Sequence, residues 1–412
     1  MGSRSDLFIA RQPILDRQLT LRAYELLFRP TAGAAAAGSA DLNHMASKVI
    51  LGALSDIGLD TLVGDCFAFV NVTREVLLAG LGEVLPPEVA VLELLESIEP
   101  DDEVLAAVDH LRGLGYIIAL DDFVDHPRFA PLLERAHIVK LDVLEVDLAD
   151  VEVVVKRLRA RYTLKLLAER VETHEVYQRC HAMGFDYFQG YFFARPQTLR
   201  GKSLAPGRLT LLRLMRQLAD PEMDFDAIEA ALSQDVALSY RLLRYLNSPL
   251  VGLRNPVRSI RSALVLLGER RVRQWAMLAA MGNLSDDKPE ALVMSAQLRA
   301  RLAEQLAEQC GLGVDPSAAF TVGLFSLLDA LLDRPMLEAV SPLCLTPATE
   351  AALLRGEGPL GRILGLVRAC EQGDWPNLDR DTLGLDGPAI RATTLDALRW
   401  VERMGTLDAD AG

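Results

Sequence analysis

Histidine is missing from the second half of this 412-residue chain, since all six histidines lie before residue 182. The five cysteines are widely spaced and form no CxxC pair, which argues against a disulfide framework and a cysteine-ligated zinc site. The longest run without a charged residue has 13 residues, whereas about 20 apolar residues are needed to span a bilayer. No glycine-rich phosphate loop, GxGxxG or GxxxxGK[ST], occurs in the sequence.

The net charge is −14. Proteins that bind duplexes by neutralising phosphates usually carry positive charge, so nucleic-acid binding is disfavoured. The N-terminus lacks the apolar stretch of a secretory signal. The sequence therefore predicts a cytoplasmic protein without membrane contact.

The first half alternates short β-branched or aromatic runs with helical stretches. Eight runs read as strands: 8–14, 19–28, 66–72, 89–96, 116–123, 137–143, 164–171 and 187–193. Strands separated by helices are typical of parallel α/β architecture. Eight strands in so short a segment favour a (β/α)8 barrel of the TIM type over a doubly wound sheet.

The second half has a different pattern. From residue 209 onward the apolar residues recur at helical spacing and no convincing strand is present, which predicts an all-α domain. Residues 196–208 are rich in proline, glycine and basic residues, as expected of a linker. We therefore predict a barrel at 1–197, a linker at 198–208 and a helical domain at 209–400.

Polar residues stand near the ends of the predicted barrel strands. They are Glu25, Asn71, Glu93, Asp121, Asp122, Lys140, Glu169, Glu172 and Gln189. The carboxyl ends of barrel strands surround one mouth, where active sites are built, so we expect these side chains to converge there. Single residues have structural alternatives: Asp122 could cap a helix, Lys140 could pair with Glu169, and Asn71 could form a turn.

This set is rich in hard oxygen ligands, with carboxylates from several strands and an amide oxygen from Asn71. Oxygen-rich sites without histidine or cysteine favour Mg²⁺, Mn²⁺ or Ca²⁺ over Zn²⁺. Two such ions about 4 Å apart are a standard device for phosphodiester hydrolysis. Lys140 could orient a hydroxide there, and Arg29 could hold a phosphate. The residues alone thus predict a divalent-metal phosphodiester site.

Eight ordered motifs resemble those of EAL domains over residues 7–197: RQPI, AYELLFR, FVNVT, LELLES, LDDF, VKLD, AERVE and FQGYFFARP. The resemblance implies a (β/α)8-barrel phosphodiesterase that linearises cyclic di-GMP to pGpG with two Mg²⁺ or Mn²⁺ ions. The metal ligands that it implies are Glu25, Asn71, Glu93, Asp121, Asp122 and Glu169. The implied catalytic residues are Lys140, Glu169 and Glu172, and the residues implied to contact the dinucleotide or complete its site are Gln12, Arg29 and Gln189.

The sequence departs from the EAL pattern around these residues. The family's DDFGTG loop is DDFVDH at 121–126, and the glycine of its AEGVE motif is Arg170. Leu95 replaces the threonine of ExTE, and Leu26 replaces the alanine of the EAL motif itself. Asp125 and His126 are either replacement ligands or part of an exposed turn before a proline.

Residues 237–275 resemble an HDOD domain, an all-helical relative of the HD phosphohydrolases, and the resemblance extends over about 209–375. Ser326 and Leu327 stand where the histidine–aspartate pair of HD enzymes would lie. Without histidine an HD-type metal site cannot form, and Asp329 is expected to be a solvated helix residue. The resemblance implies a non-enzymatic domain that contacts protein partners.

Six arginines lie within residues 254–273: Arg254, Arg258, Arg261, Arg270, Arg271 and Arg273. They form either a solvated face balanced by nearby acids or a dock for an acidic partner or a nucleic-acid backbone. By contrast, the helical spacing of Trp275, Met277 and Met281 predicts core positions.

Three functions follow from these observations. The leading hypothesis is a degenerate barrel that senses cyclic di-GMP and relays its state to partners through the HDOD domain. The first alternative is an active metal-dependent cyclic di-GMP phosphodiesterase, and the second is a scaffold that binds neither metal nor nucleotide. A homodimer stays open in each case.

Overall fold

A computed structural model of the chain describes residues 7–30, 58–144, 146–196, 206–233, 236–247, 257–285, 288–373, 384–385 and 387–409. The chain groups into two units: one comprises residues up to 193 with 369–380 and 385–399, and the other comprises 194–368, 381–384 and 400–412. Within the described ranges, no helix has the length and apolarity needed to cross a membrane.

Eight strands in the first unit close into a barrel in the order of the sequence. They are β1 (Leu7–Asp16), β2 (Leu21–Pro30), β3 (Phe67–Val72), β4 (Ala90–Leu94), β5 (Ile117–Leu120), β6 (Ile138–Asp142), β7 (Lys165–Glu169) and β8 (Tyr187–Gln189). Each neighbouring pair from β2 to β8 is parallel. The predicted eight-stranded barrel is confirmed.

One strand runs against the others, because β1 is antiparallel to both β2 and β8. Only four residues join β1 to β2, and a parallel connection needs a crossover of a dozen or more. Asp16 stabilises this tight turn: its Oδ1 accepts the backbone N–H groups of Gln18 at 2.8 Å and Thr20 at 2.9 Å. The barrel is therefore of the TIM type with a reversed first strand.

Six described helices accompany the strands of this unit. They are α1 (Leu59–Val63), α2 (Arg74–Leu78), α3 (Asp102–Gly113), α4 (Ala130–Leu133), α5 (Leu148–Arg161) and α6 (His174–Met183). Side chains cap the amino ends of four of them, namely Thr73, Asp101, Asp147 and Thr173. Such caps satisfy amide groups that lack partners within the helix.

The barrel interior contains a layer of apolar side chains. Its buried members are Ile14, Ala23, Phe69, Val91, Ala119, Ile138 and Leu167, and Ile117 and Tyr187 pack against them. Alternate residues of a barrel strand face the interior. This layer is the floor beneath the candidate site.

The described residues from 206 onward form helices and no strand, which confirms the all-α prediction. The helices are α7 (Pro206–Ala219), α8 (Phe225–Ser233), α9 (Val236–Leu246), α10 (Ile260–Leu267), α11 (Glu269–Leu284), α12 (Glu290–Gln309), α13 (Pro316–Phe325), α14 (Leu328–Leu332), α15 (Met336–Val340), α16 (Pro347–Arg355), α17 (Gly358–Gln372) and α18 (Gly387–Ala409). Trp275, Met277 and Met281 of α11 are buried, as their spacing predicts.

Candidate functional site

Eight polar side chains, one from each strand, form a layer next to the apolar floor. They are Gln12, Glu25, Asn71, Glu93, Asp121, Lys140, Glu169 and Gln189. Each lies two residues from a member of the floor, toward the carboxyl ends of the parallel strands, because alternate residues share a face. The sequence pattern that predicted residues at strand ends thus reflects one continuous layer.

Lys140 lies at the centre of this layer and is fully buried. Its Nζ lies 2.7 Å from Glu93 Oε1, 2.7 Å from Asp121 Oδ1 and 2.7 Å from Glu169 Oε1. Glu25 Oε2 is the fourth carboxylate oxygen, at 3.4 Å. Lys140 does pair with Glu169, as one alternative predicted, and it also faces carboxylates from three further strands.

Glu25 connects this carboxylate ring, defined as Glu25, Glu93, Asp121 and Glu169, to the amide side chains of the layer. Gln189 donates its Nε2 to Glu25 Oε2 at 2.5 Å and to Gln12 Oε1 at 2.9 Å. Asn71 donates its Nδ2 to Glu25 Oε1 at 3.3 Å. Residues that are up to 177 positions apart in the sequence thereby share one network.

The ring carries more negative than positive charge. If all four carboxylates were ionised, the ring and its one ammonium would carry a formal charge of −3 in a buried site. Burial raises the pKa of the Glu93 carboxyl well above its usual range, and it raises the pKa of Asp121 as well. Burial also raises the pKa of Glu169 to about 8. The site therefore favours the uptake of cations or protons.

Burial and the surrounding carboxylates act in opposite directions on the pKa of the Lys140 ammonium. Burial alone would lower the pKa of its ammonium, but the attraction of the surrounding carboxylates, above all Glu93, outweighs burial and raises that pKa well above its usual value. Lys140 is therefore protonated throughout the physiological pH range.

Four buried oxygens of the layer have neither a hydrogen-bond nor an ion-pair partner among the described residues: Asn71 Oδ1, Glu93 Oε2, Glu169 Oε2 and Gln189 Oε1. An unpaired buried acceptor is costly, and carboxylate and amide oxygens are the ligands that Mg²⁺ and Mn²⁺ prefer. The donor set thus fits a divalent cation. In the described conformation the carboxylates turn toward Lys140, and no group of three or more His, Cys, Asp or Glu side chains in the described ranges is spaced to hold an ion.

Three predicted site residues lie outside this layer. Asp122 follows Asp121 at the rim, is exposed, and adopts a left-handed backbone with φ of 43° instead of capping a helix. Partial loss of hydration and the negative charge of Glu96 raise its carboxyl pKa. Glu172 is half-buried three residues after β7. Arg29 belongs to β2, but its side chain lies outside the described residues.

The altered loop at 124–126 is held by contacts of its own. Asp125 pairs with Arg157 of α5, and His126 Nδ1 accepts the backbone N–H of Arg128 at 3.2 Å. His126 thereby caps the short 3-10 helix Pro127–Phe129. These contacts favour the exposed turn over a replacement ligand pair.

Arg170, at the glycine position of the AEGVE motif, keeps a left-handed backbone with φ of 55°. Its guanidinium pairs with Asp142 at the end of β6. Asp142 is absent from the predicted site residues, although it lies two positions after Lys140 on the same strand and so faces the same side. That alternation is the pattern that could have identified it.

In the helical region, Ser326 and Leu327 lie at the position where HD enzymes carry their histidine–aspartate pair. Ser326 accepts a hydrogen bond from the buried Arg299 at 3.2 Å and donates to the backbone carbonyl of Gly323 at 2.7 Å. Asp329 is half-buried and not solvated as predicted, and burial raises its carboxyl pKa. A buried guanidinium therefore stands beside the position where HD enzymes carry their metal ligands.

Three of the six arginines in the cluster at 254–273 pair with acids. Arg261 pairs with Asp226 and Glu229, and Arg270 pairs with Glu304 and Glu308. Arg273 pairs with Glu269. Arg258 and Arg271 belong to the described residues, and Arg254 lies outside them. These pairs favour the balanced face for three of the six.

Comparison with known proteins identifies both parts of the chain. A family model for the EAL domain matches residues 77–196, and a model for the HDOD domain matches residues 206–334. A Vibrio cholerae protein named cyclic di-GMP phosphodiesterase CdgJ is 34% identical over 403 residues, which cover 97% of this chain and 93% of that protein. The uncharacterized protein YuxH of Bacillus subtilis is 30% identical over 97% of this chain and 98% of its own length.

Among solved structures, the FimX EAL domain from Pseudomonas aeruginosa bound to c-di-GMP is similar with 20% identity and a TM-score of 0.37, over 46% of this chain and 89% of that chain. Both relatives align along 97% of this chain, so each alignment extends over the residues that the two domain models match. The chain belongs to the family of proteins in which an EAL domain is followed by an HDOD domain.

Proposed function

We propose that the barrel is a metal-dependent phosphodiesterase that opens cyclic di-GMP to pGpG. The observation that carries this proposal is the polar layer, in which Asn71 Oδ1, Glu93 Oε2 and Glu169 Oε2 are buried without hydrogen-bond partners beside a ring of net negative charge. The relationship to CdgJ, which is named a cyclic di-GMP phosphodiesterase, supports it.

The residues of the layer have separable tasks in this proposal. Glu25, Asn71, Glu93, Asp121, Asp122 and Glu169 would hold Mg²⁺ or Mn²⁺. Cations held there supply an activated water and stabilise charge on the phosphate oxygens. Lys140 fixes the orientation of the carboxylates through its ion pairs. Gln189 keeps Glu25 in place by donating to its Oε2.

A dinucleotide with two phosphates is itself anionic and would be repelled by the ionised carboxylates of the ring. Charge compensation by cations is therefore a condition for substrate binding in this proposal. Gln12 and Arg29 are proposed to contact the dinucleotide, and Glu172 is proposed to support the catalytic loop.

A second candidate function is a receptor that binds cyclic di-GMP without cleaving it. The loop at 121–126 favours it, because Asp125 is held by Arg157 and His126 caps a helical turn. A loop with these fixed contacts is less free to reorganise over the cations during turnover.

The HDOD domain is proposed to be non-catalytic and to bind a protein partner. Arg299 places a guanidinium next to Ser326, where HD enzymes need metal ligands. A partner that reads the barrel through this domain fits either candidate function. A homodimer remains a prediction that sedimentation of the full-length protein tests.

The decisive experiment titrates cyclic di-GMP into the full-length protein with Ca²⁺ and then with Mn²⁺, and follows pGpG by chromatography. The phosphodiesterase proposal predicts pGpG with Mn²⁺ and its loss in Glu25→Ala and Asp121→Ala. Glu152→Ala, at a half-buried position of α5 whose carboxylate pairs with Lys156, is the matched control and should keep wild-type turnover. Binding without product would establish the receptor, and neither binding nor product would contradict both.

A further inference from the structure

Lys140 is the one cation that the described layer provides for four buried carboxylates. The side chain has no solvent exposure, and three carboxylate oxygens lie 2.7 Å from its Nζ. An ammonium carries three protons and so can serve three acceptors well. Glu25, the fourth, stands further away at 3.4 Å and takes its closer hydrogen bond from Gln189.

This arrangement neutralises the ring only in part. Removing one partner of a buried ion pair leaves the other charge uncompensated, which is strongly destabilising. Here the removal of Lys140 would leave four carboxylates without any cation. Without a bound metal ion, the barrel should therefore lose much more free energy of unfolding when Lys140 is removed than when an exposed, paired lysine is removed.

The same carboxylates are the ones proposed to hold divalent cations. Glu93 and Glu169 each direct one oxygen at Lys140 and leave the other without a hydrogen-bond partner. A cation on the second oxygens would sit close to the ammonium in a site shielded from water. Two positive charges in such surroundings repel each other, although both are attracted by the ring.

We propose that Lys140 is a built-in counter-ion of the carboxylate ring, which stabilises the barrel when no divalent cation binds and opposes cation binding. Coupling between two binding interactions is reciprocal. If the Lys140 ammonium weakens the binding of a divalent cation, the bound cation weakens the ion pairs of Lys140 by the same free energy. This inference rests on the proposed function only in taking the ring as the cation site. The Lys140 counter-ion would set the affinity of the ring for cations whether or not the barrel cleaves a substrate.

The test uses full-length Lys140→Met and the control Lys165→Met. Lys165 is a lysine of the same barrel that pairs with a carboxylate, Asp186, at an exposed position. Thermal unfolding is measured in EDTA and in Ca²⁺, and Ca²⁺ affinity is measured by calorimetry. We expect Lys140→Met to unfold well below wild type in EDTA, to gain more from Ca²⁺ than wild type, and to bind Ca²⁺ at least about tenfold more tightly. Lys165→Met should match wild type in Ca²⁺ affinity.

A variant that binds Ca²⁺ as weakly as wild type, or more weakly, would overturn the proposal, because Lys140 would then help the carboxylates to hold the cation. If Lys140→Met folds only with Ca²⁺, that dependence supports the proposal. If it folds in neither condition, Lys140→Met combined with Glu93→Gln, Asp121→Asn and Glu169→Gln decides. This variant removes the ammonium together with the three carboxylate charges that lie 2.7 Å from it, so it should fold in EDTA, and its failure would overturn the proposal.

The outcome is distinguishable from that of the proposed function. Wild-type protein that binds Ca²⁺ but neither binds nor cleaves cyclic di-GMP would contradict the proposed function and leave the Lys140 comparison intact. Conversely, wild type that produces pGpG while Lys140→Met fails to gain Ca²⁺ affinity would contradict the counter-ion alone.

Discussion

Arg170 pairs with Asp142 across neighbouring strands at the rim of the barrel, and it does so from a left-handed backbone with φ of 55°. Residues other than glycine pay for this conformation, by about 1–2 kcal/mol. The strain is located directly after Glu169 of the carboxylate ring. Strained backbone conformations cluster at active sites and ligand-binding segments of proteins.

The first prediction compares Arg170→Gly with Arg170→Ala. Both variants lose the partly exposed pair with Asp142, worth about 0.5 kcal/mol, but only glycine is relieved of the left-handed strain. We expect the glycine variant to be about 1 kcal/mol more stable than the alanine variant in urea unfolding.

Lys156 in the exposed middle of α5 supplies the control for that comparison. There the backbone is an ordinary helix, so Lys156→Gly should be about 1 kcal/mol less stable than Lys156→Ala. The same order at both positions would show that the strain at Arg170 is not released by glycine and would contradict the prediction.

The polar layer could be predicted from the sequence because its cause is local. A strand alternates its faces, so a residue such as Glu93, two positions after Val91, must lie on the same side of the barrel. Eight strands that each place a polar residue at the same height produce the layer without any long-range information. The reversed β1 follows from the same kind of reasoning, since four residues cannot connect parallel strands.

The contacts within the layer depend on distances that no single strand determines. That Gln189 bonds to Glu25 and Gln12 together, or that Lys140 meets four carboxylates at once, follows only from the closure of the barrel. Arg170 is a different case. Arginine disfavours the left-handed backbone that Arg170 adopts. The sequence alone therefore indicates that the backbone is less free here than with glycine, but it does not predict the left-handed conformation.

The second prediction concerns the pH dependence of stability through Asp16. Burial would raise the pKa of this carboxyl, but hydrogen bonds from Arg22 and from the backbone amides of Thr20 and Gln18 outweigh burial and lower it. A carboxyl with a lowered folded-state pKa stabilises the protein above its unfolded pKa of about 3.9. That contribution is lost as the pH falls through the lower folded-state value.

Asp16→Asn removes the charge and keeps an oxygen for the backbone amides. We expect it to be about 1 kcal/mol less stable than wild type at pH 7 and to approach wild type as the pH falls below about 4. Urea unfolding over a pH series measures the difference, with Asp65→Asn at an exposed position as the control. A difference that does not change with pH would assign the effect to hydrogen bonding alone.

The third prediction tests the close approach of α12 and α13. A Cβ added to Gly323 would lie 2.3 Å from the backbone oxygen of Arg299 and 2.7 Å from the Cα of Ala300. Backbone atoms cannot yield as a side chain does, so we expect Gly323→Ala to lower the free energy of unfolding by about 2–3 kcal/mol.

Gly365 in α17 is the matched control, because a Cβ there meets nothing within 4 Å. Gly365→Ala should raise the free energy of unfolding by about 0.5–1 kcal/mol through helix propensity alone. Urea unfolding of both variants measures the contrast. Equal effects of the two substitutions would mean that the helices can separate at little cost.

The fourth prediction separates cation binding from stability at Asn71. Its Oδ1 has no hydrogen-bond partner among the described residues, and its Nδ2 makes one long bond of 3.3 Å to Glu25. Leucine has a similar size and brings no unpaired polar atom, so Asn71→Leu should stay within about 1 kcal/mol of wild type in EDTA. If Asn71 is a ligand, however, Ca²⁺ affinity should fall by about tenfold or more, because an oxygen donor is lost.

Calorimetric titration with Ca²⁺ and urea unfolding in EDTA measure the two effects on the same samples. Asn283→Leu is the control, since Asn283 accepts a hydrogen bond from Arg241 in the helical region, and its Ca²⁺ affinity should equal that of wild type. A stable Asn71→Leu that keeps its Ca²⁺ affinity would remove Asn71 from the ligand set. A variant that loses stability in EDTA would instead assign Asn71 to the support of Glu25, because the bond between their side chains would then be the contact that matters.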